Sequence, residues 1–150
     1  MRYMKFPAPK NLRAVVCSPD KPLATKDARR VLPSRIPFSA AVFTSARVAF
    51  LVGAFVQKRY DLLGFAMDDV LHQPARARLI PGLVEAIAQA RLAGASGAAL
   101  SGAGSSVIAL LTEHANAKKV GEAMQKAFSA KHITSRWQEL AFENKGVRYT

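Results

Sequence analysis

Cysteine is almost missing from this chain. Cys17 stands alone among 150 residues, so no internal disulfide can form. It sits in the apolar run Ala14-Val15-Val16-Cys17, which predicts a buried strand residue and fits a reducing, cytoplasmic setting. His72, His114 and His132 lie far apart, so no Cys/His set has metal-ligand spacing and no metal site is expected. Long hydrophobic runs are also lacking. The longest, Ala40 to Val56, is interrupted by Thr44, Ser45 and Arg47, and is expected to be too short and too polar to span a membrane. Basic residues near the N-terminus are not followed by an apolar segment and cleavage site, so no signal peptide is expected. There is no low-complexity tract. With 50% hydrophobic and 21% charged residues, most of the chain can build a core, and the length suits one domain.

Acidic residues are scarce as well. Ten Asp and Glu face 22 Lys and Arg, for a formal charge of +12. Such a charge invites a nucleic-acid reading. Yet Lys21, Lys26, Arg29, Arg30, Arg35, Lys58, Arg59, Arg76, Arg78, Lys118 and Lys119 are scattered, with no block of five and no basic–aromatic alternation. The scatter argues against nucleic acid. It leaves open a ligand that is a small anion, or simply a solvated basic surface.

What is present reads as alternating strands and helices. Met1 to Asn11, with Pro7 and Pro9, predicts an extended lead-in. Leu12 to Ser18 predicts a strand, and Pro19-Asp20-Lys21-Pro22 a turn. Thr25 to Leu32 predicts a short helix capped by Thr25 and ended by Pro33. A long helix from Pro37 to about Lys58 has small and apolar residues nearly all round, which predicts burial on most sides. Tyr60 to His72 predicts another helix, with Asp68 and Asp69 facing outward, ended by Gln73-Pro74. At the end of that helix His72 would meet free carbonyls. Leu83 to Leu92 follows Pro81-Gly82 as a helix that Gly94 caps. Gly97 to Leu100 and Val107 to Leu111 predict two strands, and His114 to Ala130 an amphipathic helix. Ile133 to Phe142 and Gly146 to Tyr149 predict closing strands. The order predicts an α+β fold, an antiparallel sheet covered by helices on one face.

Between the two short strands lies Ser101-Gly102-Ala103-Gly104-Ser105-Ser106. Glycines let backbone N–H groups approach a ligand and form an anion-binding nest. A tight, small-residue hairpin is the plainer explanation of the same residues. Asp68 and Asp69 do not read as a catalytic pair, because adjacent helical residues point about 100° apart. Arg29, beside Arg30, and Arg76, near Arg78, are either ligand-binding residues or solvated helix-end cations.

Four stretches together resemble one family. They are Pro19 to Pro33, Phe38 to Val52, Asp68 to Arg76 with Leu79-Ile80-Pro81-Gly82, and Gly97 to Ser106. In this order they resemble the C-terminal half of the homoserine kinases, within the GHMP superfamily of small-molecule kinases. The run His72-Gln73-Pro74 to Arg76, then Leu79-Ile80-Pro81-Gly82, is the part that points to homoserine kinases in particular. Two positions depart from the pattern: Ser105 stands where relatives usually carry proline, and Ala75 where they usually carry tyrosine.

The resemblance implies that Arg29 and Arg76 bind the α-carboxylate of L-homoserine. It implies that Ser101, Gly102, Ala103 and Gly104 support the phosphate-binding loop of a second half, and it assigns no catalytic residue to this chain. That loop, a glycine-rich run opening a helix, does not occur in residues 1–150. The resemblance therefore implies one GHMP C-terminal domain over 1–150, without the N-terminal ATP-binding domain. The complete two-domain enzyme would use ATP and Mg²⁺ to phosphorylate the homoserine hydroxyl, and this chain alone is expected to be inactive and to bind neither strongly. Expected partners are the N-terminal half and a second copy in a homodimer, with no membrane. The self-association face is expected to combine Tyr3 to Pro9, the Ala99 to Ser106 bend and Leu79-Ile80. A non-catalytic, carboxylate-binding or regulatory domain of the same fold is the alternative.

Overall fold

Strand β1 (Leu12–Pro19) alternates its side chains between two apolar surfaces, and that alternation organises the domain. The computed structural model describes residues 2–145, so the strand expected at Gly146 to Tyr149 lies outside the described residues. After β1 come α1 (Thr25–Arg30), α2 (Phe38–Val56), a 3-10 turn (Tyr60–Leu62), α3 (Leu63–Ala66), α4 (Gln73–Ala77) and α5 (Leu83–Leu92). Then follow β2 (Gly97–Leu100), β3 (Val107–Thr112), α6 (Ala117–Ser129) and β4 (Ser135–Ala141). The four strands form one sheet in the order β2-β3-β1-β4, and every neighbouring pair is antiparallel. The α+β class read from the sequence is the observed one.

Register sorts the side chains. Val15 opposes Ala109 and Cys17 opposes Val107, so these four share one face. Helices α5 and α6 cover it with Leu83, Ala86, Ala90, Val120, Met124 and Phe128, making the main core. Cys17 is fully buried there as a free thiol, and burial pushes its pKa up. On the reverse face Leu12, Ala14 and Leu110 meet Ala54, Tyr60 and Leu63 in a second, smaller cluster.

Several local expectations need correction. Only Ala54 of α2 is buried, although the sequence predicted burial on most sides. Only the C-terminal part of α2 reaches the reverse face of the sheet, through Leu51, Ala54 and Phe55, so the rest of the helix has little to pack on. Helix α2 is also long and apolar enough to cross a membrane by length and composition, because it starts at Phe38 and the polar residues do not interrupt it. Its contacts with the sheet and with α3 make it part of the folded domain.

The continuous helix expected over Tyr60 to His72 stops at Ala66. Asp69 explains the restart: its Oδ2 accepts the N–H groups of His72 (2.8 Å) and Gln73 (2.7 Å), satisfying the free amides that open α4. Gln73-Pro74 thus begins a helix rather than breaking one, and Pro74, lacking an N–H, suits a first turn. His72 precedes a helix instead of ending one. Asp68 and Asp69 do not simply face water. Asp68 binds Arg91 at 2.9 Å, and the Asp69 side chain is only 9% exposed. Thr25 is the first residue of α1, not its cap; the Ala24 carbonyl starts the helix by accepting from Asp27 and Ala28. Helix α6 starts later than expected, because Asn116 caps it by accepting from the Lys119 N–H at 3.0 Å.

Candidate functional site

Three segments distant in sequence converge at the bend between β2 and β3. The bend is closed by its own backbone: Ser101 N–H donates to Ser106 O at 2.8 Å, and Gly104 N–H donates to Ser101 O at 3.1 Å. Gly102 (φ 57°) and Gly104 (φ 100°) occupy the left-handed region, where a side chain is strained. A Cβ on Gly104 would also lie 2.8 Å from Ile80 Cδ1, the movable end of a side chain, so the positive φ is the stronger demand for glycine there. The glycines are therefore set by geometry as well as by any ligand.

Side chains lock the bend to its neighbours. Ser105 Oγ donates to the Lys21 carbonyl at 3.0 Å, tying the bend to the turn after β1. The hydroxyls of Ser18 and Ser106 lie 2.9 Å apart. Gln73 Oε1 accepts from Leu100 N–H at 2.7 Å, pinning the end of β2 to the start of α4. Sequence reasoning did not single out Gln73 or the capping role of Asp69. Their partners are other elements' backbone amides, which no residue spacing marks.

Arg76 stands at the centre of this convergence. Its Nε donates to the Ala28 carbonyl of α1 at 3.1 Å, and its Nη1 donates to the Gly102 carbonyl of the bend at 2.9 Å. His72 Nδ1 lies 3.4 Å from the same Nη1, and His72 Nε2 lies 3.7 Å from Asp69 Oδ1. One guanidinium thus holds α1, α4 and the bend in register, while its Nη2 has no protein partner among the described residues. Arg29 follows the residue that Arg76 grips, and its side chain is exposed. Arg30, next to it, pairs with Asp27.

A cavity of about 410 Å³ opens beside the bend. Lys21, Arg30 and Ser105 give it polar groups, over an apolar wall that includes Leu23 and Ile80. Neither Arg29 nor Arg76 lines it, so the cavity and the two predicted carboxylate ligands are separate features of one end of the domain. The Ile80 expected on a self-association face is buried instead, against Gly104. Among the described residues no three His, Cys, Asp or Glu side chains gather closely enough to hold a metal ion.

The fold and its locked glycine bend define the class: a C-terminal domain of the small-molecule kinase type. The family model for "GHMP kinases C terminal" matches residues 51–130, and the chain belongs to that family. It is 46% identical to the homoserine kinase of Carboxydothermus hydrogenoformans over 128 residues, 85% of this chain and 41% of that protein. It is 43% identical to the homoserine kinase of Halothermothrix orenii, over 97% of this chain and 46% of that one. The crystal structure of homoserine kinase from Cytophaga hutchinsonii superposes with a TM-score of 0.86 at 39% identity, over 92% of this chain and 44% of that one. Galactokinase of Lactococcus lactis shares the fold at a TM-score of 0.62 and 17% identity, over 93% of this chain and 47% of that one. The chain spans slightly less than half the length of these curated homoserine kinases.

Proposed function

We propose that this chain is the C-terminal domain of a homoserine kinase. The complete enzyme transfers the γ-phosphoryl group of ATP to the side-chain hydroxyl of L-homoserine, giving O-phosphohomoserine on the route to threonine. The observation that carries this reading is a match over 85–97% of this chain to homoserine kinases at 43–46% identity, together with the convergence of Arg76, α1 and the glycine bend. Residues 1–150 form one domain in this reading, and the N-terminal ATP-binding half is its partner in cis or as a separate chain. ATP and Mg²⁺ belong to the two-domain enzyme, where the metal neutralises developing phosphoryl charge. The enzyme is cytoplasmic.

In this reading the bend, Ser101 to Gly104, supports the phosphate loop of the other half. Arg76 presents its free Nη2 to the homoserine carboxylate, while its other nitrogens stay on backbone carbonyls. Arg29 supplies the second cation. A planar guanidinium fork suits a carboxylate better than an ammonium does. A chain without its other half covers apolar surface as a twofold dimer, and exposed Tyr3, Met4 and Phe6 are such surface.

The test is kinetic and uses the two-domain enzyme. Arg76→Ala and Arg29→Ala each raise the homoserine KM and leave the ATP KM unchanged, at a cost of about 1.5–3 kcal/mol for a charge-assisted bond. Arg76→Lys rescues only partly. Equal loss of ATP binding in both variants overturns the assignment. The 150-residue chain alone gives background ATP consumption with homoserine and Mg²⁺; turnover of roughly 1 per second or faster contradicts the proposal.

A further inference from the structure

The two carboxylate oxygens of Asp69 have different tasks. Oδ2 accepts the backbone N–H groups of His72 and Gln73, and so sets where α4 begins. Oδ1 lies 3.7 Å from Nε2 of the His72 ring. Once α4 begins there, His72 and Arg76 fall four residues apart and meet on one side of its first turn. His72 Nδ1 then lies 3.4 Å from Arg76 Nη1.

Chemistry assigns the ring proton. A guanidinium has hydrogens to donate and no lone pair to offer. The contact between Nδ1 and Nη1 is attractive only when Nδ1 is the acceptor. That puts the proton of a neutral imidazole on Nε2, the nitrogen that faces Asp69. The result is a chain of three groups: carboxylate, neutral imidazole and guanidinium. A proton on Nδ1 would aim one donor at another and set two positive charges side by side.

Every hydrogen of the Arg76 guanidinium then has a place. The Nε hydrogen goes to the Ala28 carbonyl. The two on Nη1 go to the Gly102 carbonyl and to His72 Nδ1. The two on Nη2 have no protein partner among the described residues. Without His72, one Nη1 hydrogen loses its acceptor and the guanidinium is held at two points instead of three. Ordering that the protein supplies beforehand must then come out of the binding energy of the ligand.

We propose that His72 is a positioning residue for Arg76: its neutral imidazole, oriented by Asp69, holds Nη1 and leaves Nη2 as the nitrogen offered to the substrate carboxylate. This inference deepens the reading of the chain as a homoserine kinase domain and rests on it.

The test uses the two-domain enzyme. His72→Leu removes the acceptor and keeps much of the bulk. The start of α4 survives the change, because Asp69 Oδ2 binds backbone N–H groups. The homoserine KM rises about three- to tenfold, the size of one modest hydrogen bond, while kcat and the ATP KM hold. His72→Ala, which asks for no extra room, gives the same rise. His72→Asn, whose Oδ1 stands where Nδ1 stood, recovers most of the loss. In an Arg76→Ala background His72→Leu adds nothing further, because the two side chains act as one unit. A structural role alone moves the ATP KM as well, gains no rescue from Asn and adds to Arg76→Ala; that pattern overturns the proposal. So does an unchanged homoserine KM in both His72→Leu and His72→Ala. Either result leaves the kinase reading standing as long as Arg76→Ala raises the homoserine KM. An Arg76→Ala enzyme with unchanged homoserine KM defeats the carboxylate role of Arg76, and the positioning role of His72 with it.

Discussion

Helices α2 and α6 are the two longest in the described residues, and they handle polarity in opposite ways. Helix α6 buries Val120, Met124 and Phe128 on the sheet and exposes Lys118, Lys119, Glu122 and Lys126. Helix α2 exposes its valines and holds its arginine between two phenylalanine rings. Amphipathicity places a helix only when water is the other phase. Helix α6 is complete within this chain, because its polar face already meets solvent. Helix α2 leaves an apolar outer face exposed, and among the described residues nothing covers it.

Substitutions at matched positions separate the two cases. Phe128→Ala on α6 deletes the largest fully buried side chain and lowers unfolding stability by about 3–5 kcal/mol in urea titrations. A loss under 1 kcal/mol breaks the claim that α6 closes the core. Gly121→Ala tests the fit of α6 against β4. An added Cβ would lie 2.2 Å from Trp137 Cδ2, so the indole must move. Overpacking costs about 1–3 kcal/mol. The gain in helix propensity returns about 1 kcal/mol at most, so net destabilisation is expected.

On α2 the same probes do little to the isolated chain. Val52→Ser stays within about 0.5 kcal/mol, because the side chain is already in water. A large loss there shows that α2 is covered within the chain and breaks the contrast. The smallest effect concerns pH. Glu85 on α5 accepts from Lys131, just beyond α6, at 2.8 Å, and this bond holds its carboxyl below the usual carboxylate range. The pair therefore stabilises the fold above the ordinary glutamate pKa and is lost as pH falls through the lowered one. Both side chains are nearly half exposed, so solvent screening limits the effect to about 0.5 kcal/mol. Lys131→Met should flatten the acid limb of the stability profile, read from melting temperatures between pH 3 and 6.

Most of the sheet was legible beforehand. Apolar runs bounded by glycine or proline located β1, β2 and β3 and the helix Leu83–Leu92 to within a residue or so. The Ser101–Gly104 bend was visible because only glycine accepts its backbone angles cheaply. The failures share a cause. Asp69 looked like a surface acid, yet it caps a helix that starts four residues later. Arg76 looked ambiguous because one of its partners, the Ala28 carbonyl, is 48 residues away. Burial of α2 was misread because an apolar helix says that it wants cover, not that this chain supplies it.

By itself, the sequence determined the α+β class, the antiparallel strands, the glycine bend and the kinase-family resemblance. Each follows from local periodicity, from backbone angles that only some residues adopt, or from ordered motifs. Only the tertiary structure decided which end of α2 meets the sheet, that Arg76 joins α1 to the bend, and that Asp69 and Gln73 brace α4. Those contacts join segments tens of residues apart. They exist because packing the two faces of the sheet brings unpaired carbonyls and amides within hydrogen-bond reach of side chains that must satisfy them.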